Sequence, residues 1–278
     1  MIKIVTDSSS DLPAEAAREH DITVVPLSIH FGDKTYIDGE DIDAATFYRM
    51  LQSEPTHPRT AQPSVGRFEE VYRSLAAEGH EIVTITISEK LSGTHNSAAL
   101  AARNVPEARV TLIDSHTISM ALGALAIRAA RMGREGKTAA EIEATVRDMV
   151  PRVGIWIAVD TLTYLQRGGR IGRANALLGA VLNVKPILSL RDGEVVPFGR
   201  ARSRGKALRE AANGVAAEAP IEEMYVMHTE APASAAELAG LVQPLYGDRT
   251  VPILPLGPVV GAHVGPGSAG VAALRAKG

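Results

Sequence analysis

The stretch from Glu81 to Ala102 constrains the fold most. An alternating apolar run, Ile82-Val83-Thr84-Ile85-Thr86-Ile87-Ser88, passes through Glu89-Lys90-Leu91-Ser92-Gly93-Thr94-His95-Asn96-Ser97 into a segment rich in alanine and leucine. The first part reads as a buried strand and the last as a helix. Ser92, Gly93 and Thr94 then stand at a helix N-terminus, where unpaired N–H groups and a partial positive charge suit a carboxylate or phosphate oxygen. Ser92 or Thr94 would serve equally as a plain helix cap. Spacing alone leaves both readings open.

The flanking sequence repeats the strand-to-helix pattern. Ile2 to Thr6 is a short buried strand, and Asp7-Ser8-Ser9-Ser10-Asp11-Leu12-Pro13 leads into a helix through Glu19. A second apolar run, Ile22 to Phe31, reaches a turn at Gly32-Asp33 and a short segment from Lys34 to Ile37. Asp38, Glu40, Asp41 and Asp43 lack calcium-loop spacing and read as an acidic turn capping a helix from about Ala44 to Leu51. Thr60 falls on a loop between Pro55 and Pro63. Val65 to Ala77 is a helix with Phe68, Val71, Tyr72 and Leu75 on one face. Arg109 to Ile113 is a strand, followed by helices over Ser119 to Met132 and Thr138 to Met149. This alternation predicts an α/β fold with a mainly parallel, helix-covered sheet. Ligands bind such sheets past the carboxyl ends of the strands, where Ser8, Ser92 and Ser115 fall.

The texture changes at Pro151, which places a boundary between an N-terminal α/β domain of residues 1–152 and a C-terminal α/β domain of residues 153–278 with a mixed sheet. Ile155 to Val159 is a strand. Arg167, Arg170 and Arg173 follow at three-residue intervals among glycines, which predicts a loop projecting guanidinium groups suited to carboxylate or phosphate. A solvated basic face is the alternative. Ala174 to Leu182 reads as an apolar helix, and Val184 to Leu190 with Glu194 to Gly199 as a hairpin turning at Asp192-Gly193. The basic residues Arg200, Arg202, Arg204, Lys206 and Arg209 open the next helix. Met224 to Thr229 is a strand, Ser234 to Val242 a helix and Val251 to Leu256 a last strand. Gly257 to Ser268 is too glycine-rich to be regular. His263 sits inside it, placed to reach an anion or to serve as a structural histidine.

Several chemistries are excluded at this level. The chain has no cysteine, which removes disulfides, thiolate zinc sites and cysteine nucleophiles. No His-x-x-x-His pair occurs, so no metal site is assigned. A net charge of −3 gives no general attraction to nucleic acid or an anionic membrane, and 4% aromatic residues disfavour base stacking. Gly265, Gly267 and Gly270 match a dinucleotide fingerprint, but too few residues follow for a crossover. Gly136-Lys137-Thr138 lacks the first glycine and the preceding strand of a phosphate loop. With no apolar run of about 18 residues and no signal-peptide pattern, a cytoplasmic protein without integral membrane association is expected.

Five ordered motifs resemble the DegV family across essentially the whole chain: Val5 to Pro13, Thr60-Ala61-Gln62-Pro63-Ser64, Leu91 to Ala98, Leu165-Gln166-Arg167-Gly168-Gly169-Arg170-Ile171, and Gly261 to Gly267. The resemblance implies a two-domain protein that is no enzyme by itself. It would hold one long-chain fatty acid between its domains and present the carboxylate to a separate ATP-binding fatty acid kinase subunit for acyl phosphate formation. It further implies carboxylate contacts from Thr60 and Ser92, a third from His263, a supporting loop at Gly93 and Thr94, and kinase contact through Arg167, Arg170 and Arg173. No cofactor, metal or catalytic residue is implied. Ala61 stands where many relatives carry serine.

Roughly fourteen buried methylenes at about 0.8 kcal/mol each would contribute on the order of 11 kcal/mol, before ordering costs of several kcal/mol. Hydroxyl bonds to a carboxylate add about 1.5 to 3 kcal/mol each. The tail would supply affinity and the head group orientation. Leu27, Ile29, Leu177, Leu178, Val181, Leu182 and Leu188 are candidates to line the tail's tunnel, or plain core. Two other readings remain at this stage: an enzyme acting alone on a small carbonyl or phosphorylated substrate through His263 or Ser92, and a nucleic-acid binder using Arg200 to Arg209.

Overall fold

A computed structural model describes residues 1–177 and 184–277. The first half contains β1 (Ile2–Asp7), α1 (Ala14–His20), β2 (Ile22–Val25), β3 (Ser28–Phe31), β4 (Lys34–Ile37), α2 (Ala44–Ser53), β5 (Arg59–Ala61), α3 (Val65–Ala77), β6 (Glu81–Thr86), α4 (Thr94–Asn104), β7 (Val110–Asp114), α5 (Ser119–Arg134) and α6 (Ala139–Met149). Strands β2, β1, β6 and β7 form a parallel sheet in that order. Alternate residues of β1 and β6 serve opposite faces. Ile4, Val83 and Ile85 pack with α5 and α6, while Val5 and Ile82 pack with Phe68 and Tyr72 of α3 and Ala98 and Ala101 of α4. Burial on both faces explains why these strands read as nearly continuous apolar runs.

The run from Ile22 to Phe31 is not one strand. Pro26 has no N–H for a sheet ladder, and the chain breaks there into β2 and β3, which belong to different sheets. The small antiparallel sheet β4-β3-β5 pairs Ile29 with Thr60, so Thr60 lies on a short strand rather than the expected loop. Asp43 caps α2 as anticipated, accepting from Thr46 N at 2.7 Å.

The second half contains β8 (Val153–Ala158), α7 (Thr163–Gly168), β9 (Lys185–Arg191), β10 (Glu194–Ala201), α8 (Arg204–Ala216), β11 (Ile221–His228), α9 (Pro232–Val242), β12 (Ile253–Pro255), α10 (Pro258–Val264) and β13 (Ala269–Arg275). Its mixed sheet has the order β10-β9-β8-β13-β11-β12, antiparallel except for β11 with β12. The hairpin turns at Asp192 and Gly193 with φ of 52° and 80°, the left-handed pair that such a two-residue turn requires.

Two elements here depart from the sequence reading. Gly257 to Ser268 contains a regular helix, α10, entered through Pro258 at its first turn. Its Gly261 reflects packing, since a Cβ there would stand 2.8 Å from Cζ of Tyr48. Central strand β13 was not anticipated, because its small residues hide the strand pattern. A Cβ on its Gly270 would approach the Trp156 carbonyl of β8 at 2.8 Å. The arginine-glycine stretch is a helix end rather than a free loop: α7 closes on Gly169 at φ 66°. Gly172–Leu177 is a 3-10 helix, and the rest of the apolar helix expected up to Leu182 lies outside the described residues.

Candidate functional site

Between the two halves runs an aliphatic slot. Period-two alternation builds one wall: Ile155 and Ile157 of β8, Leu188 and Leu190 of β9 and Val195 of β10 all face it. Ile87, Leu91 and Ile118 of the first half form the opposite wall. Helix α10 closes a third side with Val259, Val260 and Val264.

One end of the slot is polar. Thr60, Gln62, Ser92, Arg170 and His263 meet there from four separate segments. Thr60 Oγ1 lies 2.9 Å from Nε2 of His263, across 203 residues of sequence. Ser92 Oγ lies 2.8 Å from Thr94 Oγ1 and accepts from Thr94 N at 3.3 Å. Gly93 is the cap residue of α4, and the Gln62 amide rests on it: a Cβ there would fall 2.5 Å from Oε1. Each hydroxyl offers one proton and two lone pairs, so both Thr60 and Ser92 keep capacity beyond their protein partner. Burial, with the Arg170 and His57 charges beside it, lowers the His263 pKa to about 4. The imidazole is neutral at physiological pH. Part of its edge stays accessible, while Nδ1 is covered and has no hydrogen-bond partner.

Outside this polar end lies a cationic vestibule lined by His57, Arg59 and Arg167, sharing Thr60, Arg170 and His263 with the slot. Arg170 follows the left-handed Gly169 and stands, exposed, at the rim shared by slot and vestibule. Its guanidinium donates to the Gly168 carbonyl at 2.9 Å and, more weakly, to the Leu91 carbonyl at 3.4 Å. Arg173 lies elsewhere, in a separate cleft with His116, Trp156 and Phe198. The three arginines therefore do not line one pocket.

Other sequence-derived candidates separate in the same way. Ser8 and Ser115 do not face the slot: Ser8 Oγ accepts from Leu27 N at 3.0 Å, and Ser115 donates to the Thr117 carbonyl at 3.3 Å. Leu27 and Leu188 line the slot, whereas Ile29 is core beside Phe31 and Phe47 and Leu177 packs against the main core. Leu178, Val181 and Leu182 lie outside the described residues. Asp114, at the carboxyl end of β7, accepts from His116 N at 2.9 Å and does not line the slot. The basic residues Arg200, Arg202, Lys206 and Arg209 line a distant groove, and Arg204 pairs with Asp160 at 3.1 Å. Sequence reasoning missed Gln62, the place of Arg170 at the polar end and the α10 wall. The spacing of Val259, Val260, His263 and Val264 on one helical face was the available signal for the last.

Among the described residues, no cluster of three His, Asp or Glu is placed to hold a metal, and no helix is long and apolar enough to cross a membrane.

The family model described as "Uncharacterised protein, DegV family" matches residues 1–276. The chain belongs to the DegV family. A DegV domain-containing protein of Streptomyces coelicolor is 38% identical over 275 residues, covering 97% of each chain. Among solved structures, a DegV family protein from Thermus thermophilus, described by its fatty acid binding, has a TM-score of 0.91 at 33% identity and covers 99% of both chains. A stearic acid-binding protein from Eubacterium ventriosum has a TM-score of 0.90 at 29% identity, covering 99% of this chain and 98% of its own. The DegV architecture of a parallel helix-covered sheet beside a separate mixed sheet is therefore shared over the whole length.

Proposed function

We propose that this chain binds one long-chain fatty acid between its two domains and presents the carboxylate to a separate ATP-dependent kinase subunit for acyl phosphate formation. The observation that carries the reading is an aliphatic slot ending on two hydroxyls, a neutral imidazole and an arginine. The acyl tail lies along Ile155, Ile157, Leu188 and Val260. The carboxylate sits between Thr60 and Ser92, each donating its proton to one oxygen, with His263 donating to Thr60 from behind and Gly93 and Thr94 shaping the Ser92 loop. Arg170 offsets the charge, and the binding of fatty acids by the Thermus and Eubacterium relatives supports the assignment.

The phosphoryl step belongs to the partner. Gly136-Lys137-Thr138 forms no phosphate cradle here: Thr138 caps α6 in a reciprocal box with Glu141. The cationic vestibule outside Thr60 is where an incoming phosphoryl group would meet the carboxylate, with Arg167 and Arg170 at its rim. Arg173, the third arginine assigned to the partner, would touch it from a separate cleft. We place the protein in the cytoplasm, where ATP is supplied.

Native mass spectrometry of protein purified from cells grown with oleate tests the reading. The expected spectrum carries the added mass of one fatty acid, and Ser92→Ala should lose most acyl phosphate formation with the kinase subunit while the fold is retained. A clean unliganded mass from the wild-type chain would sink the proposal.

A further inference from the structure

We infer that Gly168 is a positioning residue: its bare Cα is the seat on which the His263 ring rests, and that seat leaves the Thr60 hydroxyl proton free for a ligand oxyanion. The inference rests on the carboxylate reading only for its effect on binding. A Cβ at Gly168 would fall on Nδ1 of His263 and 2.9 Å from Cε1, well inside van der Waals contact. The ring can lie where it does only because position 168 has no side chain. Packed against that backbone, Nδ1 finds no acceptor, so a proton there would be a buried, unpartnered donor. The proton therefore belongs on Nε2, which donates to Thr60 Oγ1 at 2.9 Å. Thr60 then has its own O–H to give. With the other tautomer, Thr60 would spend that proton on the imidazole and could only accept. The Gly168 carbonyl also receives Arg170 at 2.9 Å, so one residue sets two groups of the polar end.

The neighbouring glycine has a different task. Gly169 takes φ 66° to close α7 and has open space where its Cβ would be. Gly168 has ordinary helical backbone, so alanine fits its main chain and fails only against the ring. The two positions can thus be separated by experiment.

The test is ring-nitrogen NMR of His263 together with oleate binding, in Gly168→Ala, Gly169→Asn and wild type. In wild type, His263 should carry its proton on Nε2 and stay neutral down to about pH 4, with His57 and Arg170 the titratable and charged groups facing it. Gly168→Ala should raise that midpoint toward the ordinary histidine value and weaken oleate binding about tenfold, the loss of one hydrogen bond. Gly169→Asn should leave both unchanged. In a His263→Ala background, Gly168→Ala should cost nothing further. An unchanged His263 titration in Gly168→Ala, or an equal effect of Gly169→Asn, would overturn the inference. A shifted titration in a chain that binds no oleate would support the seat and refute the fatty acid reading instead.

Discussion

Two polar clusters lie near the carboxyl ends of the parallel strands, and they are built on opposite terms. At the slot mouth, Thr60 and Ser92 each hold one side-chain partner and retain spare hydrogen-bonding capacity. Elsewhere, Asp7 and Asp38 are buried and Asp11 half-buried, and Asp7 and Asp11 accept hydrogen bonds from the protein. Asp7 accepts from Ile87 N at 2.8 Å, and Asp11 from Ser119 Oγ at 2.5 Å and from Gly257 N at 3.0 Å. Burial raises all three, to about 6, 7 and 6 respectively. The aspartate cluster ties loops together and the slot mouth is left with donors to offer. Acid residues in a loop past a strand are thus not by themselves a sign of chemistry. What distinguishes a site is unspent hydrogen-bonding capacity beside an apolar cavity.

The sharpest way to break this contrast is to remove both hydroxyls. Thr60→Val with Ser92→Ala should weaken oleate binding by about 3 to 6 kcal/mol, two charge-assisted bonds, while urea unfolding shifts little. Retention of affinity within a few-fold in calorimetry would show that the mouth does not hold the carboxylate. The next effect is on pH dependence, where the clusters have opposite signs. For Asp11, the folded state binds more protons between the unfolded pKa of 3.8 and about 7, so stability falls as pH rises through that window. For His263, the unfolded state binds more protons between 6.5 and about 4, so stability falls as pH drops through it. Denaturation midpoints from pH 4 to 8 should therefore gain stability toward neutral pH in Asp11→Asn relative to wild type. In His263→Gln the relative gain should come toward acid pH. Parallel profiles for the two variants would erase the distinction. The smallest effect concerns Arg173, which lies outside the vestibule. Arg173→Ala should leave oleate affinity within about twofold, since an exposed charge at that remove is screened.

The legible parts of the fold are those where local pattern and global role agree. Helix α3 announces itself by its capping serine, Ser64, which accepts from Arg67 N at 3.2 Å, and by the apolar face of Phe68 and Tyr72. The parallel strands announce themselves by burial on both faces. The parts that were not legible carry residues chosen for close approach. Gly261 makes α10 look irregular, and Gly270 and the alanines of β13 hide a central strand beneath Trp156. Thr60 looked like loop because β5 is only three residues long. As for the site, Thr60 entered through family resemblance, whereas Ser92 and His263 already read as anion contacts from their place in the chain. Their chemistry alone pointed equally to helix capping and to structural hydrogen bonds. Only the folded chain brings Thr60 to His263 and places Arg170 at the same polar end.

Helix α10 has only seven residues, yet Val260 and Val264 face the slot and His263 faces its mouth. It is held at both ends, by the Gly257 bond to Asp11 and by Thr229 Oγ1 donating to the Gly265 carbonyl at 2.6 Å. A bulkier or more bent lipid that pushes this short rod aside must rotate the imidazole with it. On the proposed fatty acid reading, tail preference and head-group alignment are mechanically linked, and retuning one by substitution along this helix should retune the other.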